Sequence, residues 1–148
     1  MICHSCRSDA LALLIRVDQQ GIPPGEDGHD IAYSHTVVFA CAHCRGSEIE
    51  VHAHDCFDHE DVFDQYDWYL LDPSDTWKLL ALLERCPARL SADCGCAVHV
   101  AFRTSCQSLP SSARQGRRDV DADFHVHRAS LDVNDGLPRI AREPNGSR

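Results

Sequence analysis

The sequence predicts a small α+β domain: an antiparallel β-sheet and one helix, stapled by metal at paired cysteines and followed by a disordered C-terminal tail. Three observations lead there. Two C-x2-C pairs, Cys3/Cys6 and Cys41/Cys44, bracket two strand-like runs joined by a Gly/Pro-rich stretch. One segment, "DPSDTWKLLALLERC", combines helix-start residues with a helical apolar period. After Cys106 the composition turns to Ser, Arg, Asp, Gly and Pro, with no sustained hydrophobic repeat.

The elements follow in order. "ALALLIRV" (residues 10–17) is a short apolar run suited to a strand, and "GIPPGEDGHD" (21–30) is a turn region. "YSHTVVFA" (33–40) is rich in β-branched and aromatic residues. "SEIEVHAH" (47–54) alternates: Ile49, Val51 and Ala53 face one way, and Glu48, Glu50, His52 and His54 face the other, read here as a hydrated surface. "QYDWYLL" fits a strand or one helical turn. In the helix, Pro73, Ser74 and Asp75 supply the start, and Trp77, Leu80, Ala81 and Leu83 form the expected buried stripe, with Trp68 and Trp77 as core aromatics. The core is therefore residues 1–106: a ribbon (1–54), an acidic segment with the helix (55–86) and a second cysteine cluster (86–106). Residues 107–148 are the flexible tail.

"CHSCRS" and "CAHCRG" match beyond their cysteines, each with Arg next. Two such turns supply four thiolates to a tetrahedral zinc. Two knuckles flanking a β-hairpin, with a third strand after the second knuckle, resemble a zinc ribbon over residues 3–54. The resemblance implies zinc ligation by Cys3, Cys6, Cys41 and Cys44. A second cluster, "CPARLSADCGCAVH", holds Cys86, Cys94, Cys96 and His99, three thiolates and one imidazole, the donor set of a closed structural zinc site. The cofactor expected is thus Zn2+, two ions per chain. His52, His54 and Cys56 are an additional candidate metal set. "HAHDCFDH" resembles the H-x-H-x-D-H motif of metallo-β-lactamase-like hydrolases only at its first two histidines. Cys56 and Phe57 stand where that motif needs Asp and His.

Charge bounds the partners. The chain of 148 residues carries 23 acidic and 14 basic side chains, a formal net charge of −9. Residues 1–100 hold 17 acids against 6 bases, a net of −11. A phosphate backbone is repelled by such a core, so direct nucleic-acid binding is disfavoured. The acidic run interleaved with aromatics, Asp58, Glu60, Asp61, Phe63, Asp64 and Tyr66, has the make-up of a docking surface for a basic protein. No catalytic triad, phosphate-binding Gly loop or dinucleotide fingerprint appears. No signal peptide and no membrane-length apolar run are read, so a cytoplasmic location with reduced cysteines is expected. The reading is a non-enzymatic, zinc-stabilised, acidic interaction protein: a regulator, adaptor or inhibitor. The alternatives are a nucleic-acid-associated zinc-ribbon protein and a small metallo-hydrolase using His52 and His54.

Overall fold

The structure, a computed structural model, describes residues 1–21, 33–56, 62–110 and 124–144. In chain order the elements are β1 (Leu11–Gln20), β2 (Tyr33–Cys41), β3 (Ser47–Cys56), β4 (Val62–Leu71), α1 (Pro73–Leu83), α2 (Ala97–Gln107), β5 (Phe124–Asn134) and β6 (Leu137–Arg142). Among the described residues six strands form one sheet in sequential order, antiparallel except between β4 and β5, which run parallel. The fold is mixed and mostly β, with two helices where the sequence reading had one. The Gly/Pro-rich turn region lies largely in residues 22–32, outside the described residues.

The strand runs legible in the sequence became β1, β2 and β3, and "QYDWYLL" belongs to β4. In β1, Leu14 and Ile15 are both buried although adjacent. Irregularities in register at Leu13/Ile15 and Arg16/Asp18 allow this by re-aiming the side chains. One face of the sheet packs Ile15, Val17, Val38, Ile49, Val51, Tyr69 and Leu71 into a core with Leu79, Leu82, Leu83, Val98 and Phe102 of the helices. Strand alternation puts Glu48, Glu50, His52 and His54 on the opposite face.

Helix α1 starts at Asp72, whose carboxylate accepts from the Asp75 backbone N–H at 2.7 Å, a helix N-cap. Its buried stripe is Asp75, Thr76, Leu79, Leu82 and Leu83. Of the expected stripe only Leu83 is buried: Trp77 is 72% exposed, Leu80 41%, and Ala81 is exposed as well, so the buried side is rotated. The cap and the buried Asp75 decide the rotation. The Asp75 carboxylate accepts from the Leu131 backbone N–H at 3.0 Å and bonds Lys78 at 2.9 Å, anchoring that face against β5.

The disordered tail does not hold for residues 124–142, which form β5 and β6 and bury Ala129, Leu131 and Ile140. Their order comes from partners distant in sequence. Residues Phe124–Arg128 pair with Tyr66–Leu70, and no local window reveals such pairing. One local signal was present. Asp135 and Gly136 both have positive φ, 52° and 73°, in the two-residue turn between Asn134 and Leu137, and Asp-Gly is the preferred dipeptide for such hairpins. Helix α2 was also legible, with Val98, Phe102 and Cys106 four residues apart on its buried side.

Both edges of the sheet are engaged. On β1, the Arg16 N–H donates to Arg89 O at 2.9 Å, and Val17 O accepts from His99 and Arg103. On β6, the Ser105 hydroxyl of α2 accepts from Ile140 N–H (2.6 Å) and donates to Ile140 O (3.2 Å), while Pro138 has no N–H to offer. These contacts blunt the edges against strand addition.

The C-terminal hairpin is therefore part of the fold. Leu131→Ala is expected to lower unfolding free energy by about 2–5 kcal/mol, and removal of residues 124–148 to abolish cooperative unfolding. Denaturant titration followed by tryptophan fluorescence measures both. A truncated chain that unfolds like the full one would restore the tail reading.

Candidate metal centres

The first centre is built by two near-identical turns. In each, the N–H of the first cysteine bonds a carbonyl five residues on: Cys3 to Ser8 and Cys41 to Gly46, both at 2.9 Å. The arginine after each pair, Arg7 and Arg45, takes the left-handed conformation at φ 64°. The sequence match is therefore a match of backbone. Gly46 is favoured by crowding, since a Cβ there would lie 3.0 Å from Leu71 O. The first turn has Ser8 instead, and its hydroxyl lies 3.0 Å from Cys6 Sγ and 3.5 Å from Cys41 Sγ.

The sulfurs fit a tetrahedral ion. Bonds of about 2.3 Å place tetrahedral ligands about 3.8 Å apart. Cys3 Sγ and Cys44 Sγ are 3.8 Å apart, and Cys6 Sγ and Cys41 Sγ 3.7 Å. Among the described residues two groups bring at least three ligand atoms together: Cys3, Cys6, Cys41 and Cys44, and Cys86, Cys94 and Cys96. Both are able to hold a metal ion, and sulfur-rich sets of this kind suit zinc. The first group is electrostatically divided. The Cys44 backbone N–H lowers Cys41 to about 6, and the Ser8 hydroxyl lowers Cys6. Burial raises Cys3 to about 12 and also raises Cys44. Cys41 is thus prepared as a thiolate and Cys6 is shifted the same way, and a cation would draw off the remaining protons.

The second group joins the end of α1 to the start of α2. Cys86 follows α1, and Cys96 is the α2 N-cap, its sulfur accepting from the His99 N–H at 3.3 Å. Cys86 Sγ and Cys94 Sγ are 3.7 Å apart. Burial raises Cys86 to about 11, and the Cys96 backbone N–H lowers Cys94. His99 is fully buried, and its Nδ1 lies 3.5 Å from Cys86 Sγ. Its Nε2 donates to Val17 O at 3.2 Å, which fixes the tautomer and leaves the Nδ1 lone pair toward Cys86, but His99, expected as the fourth ligand, does not join the three sulfurs in one ligand group. Arg103 ties the same joint together, donating to the carbonyls of Val17, Ala92 and Cys94.

The third candidate set is arranged otherwise. His52 and His54 are buried, not hydrated, and so are Glu48 and Glu50. One carboxylate oxygen of Asp64 accepts from both rings, His52 Nε2 at 2.8 Å and His54 Nδ1 at 2.9 Å. The Tyr33 hydroxyl donates to His52 Nδ1 at 3.0 Å. Their ring nitrogens straddle Asp64 and do not join it in a ligand group. The side chain of Cys56 lies outside the described residues. Around this hub, Glu50 bonds His35 (3.0 Å) and Trp68 (3.2 Å), while Glu48 accepts from the His4 backbone N–H (2.6 Å) and bonds its ring (2.7 Å). His4, Trp68, Tyr66 and His52 form a row of rings with centroids 4.4, 5.3 and 4.1 Å apart. The face was misread because alternation reveals which residues share a side, not whether aromatic neighbours cover that side.

The acidic docking surface also changes character. Asp64 and Tyr66 belong to this hub, Asp67 is buried against His127 at 3.0 Å, and Asp72 and Asp75 hold α1. Asp58, Glu60 and Asp61 lie outside the described residues, as does the side chain of Phe63. No helix among the described residues is long and apolar enough to cross a membrane.

Two outcomes follow from these sites. Protein purified without chelator is expected to contain two zinc ions by elemental analysis. Cys44→Ser should remove one and Cys94→Ser the other, and less than one ion per chain would sink the assignment. The second concerns pH. Burial lowers the His52 pKa, so the folded chain binds fewer protons there than the unfolded chain. That contribution is complete above about pH 6.5 and drains away as pH falls toward the lowered folded value. For Glu50 and Asp64 burial acts upward, but hydrogen bonds from His35 and Trp68, and from His52 and His54, leave both carboxyls below their usual range. Their contribution fades only at lower pH. In metal-saturated buffer, stability should drop between pH 7.5 and 5.5, and drop less in His52→Gln. An unchanged slope in the variant would place the effect in the thiolates.

No protein-family model, curated protein or solved structure matches this chain, so its reading rests on its own residues and geometry.

Proposed function

We propose that the chain is a non-enzymatic, zinc-stabilised interaction protein that binds a basic protein partner. The observation that carries this reading is where the sulfur groups sit. One clamps the two turns that flank β1 and β2, and the other bolts α1 to α2 and the β1 edge. Both are at joints of the fold, with their ligands buried or half-buried. That is the place of a structural ion rather than one with an open position for substrate. His52 and His54, the residues a hydrolase would use, are held by Asp64.

The surface supports a basic partner. The chain carries a net −9. Trp77 stands 72% exposed on the outer side of α1 with Leu80 beside it, and Asp72 and Glu84 lie at the two ends of that helix. An exposed Trp with a neighbouring apolar side chain and a charged rim has the make-up of an interface anchor. Glu60 and Asp61 belong to the acidic excess that attracts a cation-rich protein at long range.

Affinity capture of the intact, metal-loaded protein from its native cell tests this. A partner with net positive charge is expected. Trp77→Ala should weaken binding by at least about tenfold. Reversal of Glu60 and Asp61 to Lys should slow association most at low salt, and none of these changes should alter zinc content. An acidic partner, or binding indifferent to both changes, would defeat the reading.

A further inference from the structure

Between α2 and β6 runs an open groove of about 670 Å3, away from both sulfur groups and from Trp77. Its size falls within the roughly 300–1,000 Å3 span of small-molecule sites. Leu109, Leu137 and Ile140 give it an apolar wall, and Arg139 and Arg142 of β6 also line it. Among the described residues neither arginine has an ion pair or a side-chain hydrogen bond, whereas Arg85 and Arg103 are both satisfied by backbone carbonyls. The described carboxylates nearest along the strands do not neutralise them. Asp132 sits opposite Arg139 in register without an ion pair and acts electrostatically on Lys78 of α1. Glu143 follows Arg142 in sequence and makes no ion pair with it. Strand alternation puts Arg142 on the same side of β6 as Pro138 and Ile140, and it is half-buried, while Arg139 is exposed.

We propose that this groove binds a small amphipathic monocarboxylate. Its aliphatic or aromatic body lies along the wall formed by Leu109, Leu137 and Ile140, and its carboxylate meets Arg142, with Arg139 adding to the field. A guanidinium matches a carboxylate through two parallel N–H bonds. The charge balance selects a monoanion. The whole chain bears −9, so a polyanion is repelled while a single negative charge beside two arginines is not. Ser105 and Pro138 block strand addition at this edge, which favours a small ligand over an extended peptide.

The test is calorimetric titration of the full, metal-loaded chain with decanoate, with 1-decanol and inorganic phosphate as single-feature controls. Saturable one-to-one binding of decanoate is expected, with neither control saturating in the same range. Arg142→Gln should weaken decanoate at least about tenfold, and Arg139→Gln should weaken it less. Both variants should keep two metal ions. Ala141→Glu, at an exposed position lining the groove, should abolish binding and serves if Arg142→Gln does not fold. Absence of saturable decanoate binding, equal binding of 1-decanol, competition by phosphate alone, or indifference to Ala141→Glu would each overturn the proposal. None of these outcomes bears on zinc content or on Trp77.

Discussion

Four sulfurs from two turns, one at Cys3 and Cys6 and the other at Cys41 and Cys44, meet at tetrahedral spacing, and the N-terminal half of the sheet is arranged around that meeting. The pairing is crossed, Cys3 with Cys44 and Cys6 with Cys41, so each turn is tied to the other at both of its cysteines. Cys41 is also the last residue of β2 and pairs with Leu11 of β1, so the ligand set and the strand register constrain each other. His4, inside the first turn, carries the constraint outward. Its backbone and ring are both held by Glu48, and its ring lies on Trp68. A metal ion bound here would therefore fix two turns, three strands and one end of the aromatic row together. That is why its ligation free energy counts as folding free energy.

The two faces of the sheet are stabilised by different physics. The helix side is an apolar core, and burial there scales with area removed from water. On the other side, Glu48 and Glu50 are each buried against an imidazole, and Asp64, its side chain 37% exposed, holds two more. Buried pairs of this kind add little net stability, because desolvation offsets their attraction, but losing one partner strands a charge. Asp64 is the position whose loss strands most, since one of its oxygens serves two buried rings. His54 Nε2 remains buried with no hydrogen-bond partner among the described residues. The face is thus specified by matching donors to acceptors, and its tolerance of substitution should be far lower than that of the core.

Much of this was legible in the sequence, and the failures share a cause. The C-x2-C pairs, the strands they bracket and the single capped helix are local patterns, and they appear where the sequence places them. The cluster at Cys86, Cys94 and Cys96 was likewise readable from density of ligands alone. What was missed depends on distant partners. Residues 124–134 contain few strong strand formers and become a strand because β4 offers a free edge. Trp77 looked like core until Asp75 was seen to bind the Leu131 backbone and turn the helix. The hydrated reading of His52 and His54 failed because the rings of Tyr33, Tyr66 and Trp68 come from other strands.

The parallel pairing of β5 with β4 has a consequence for synthesis. The strands β1 to β4 follow one another in the chain and pair with their neighbours, so they can assemble as soon as residue 71 is free of the ribosome. The first sulfur set is complete by then, and the second is complete by residue 96. The strand that covers the outer side of β4 comes only at residues 124–134. Over that interval, some 50 residues of elongation, the segment Tyr66–Leu70 presents unpaired backbone beside a hydrophobic core. The nascent protein is therefore most prone to wrong association in the middle of its own production, after its metal sites can fill and before its sheet can close.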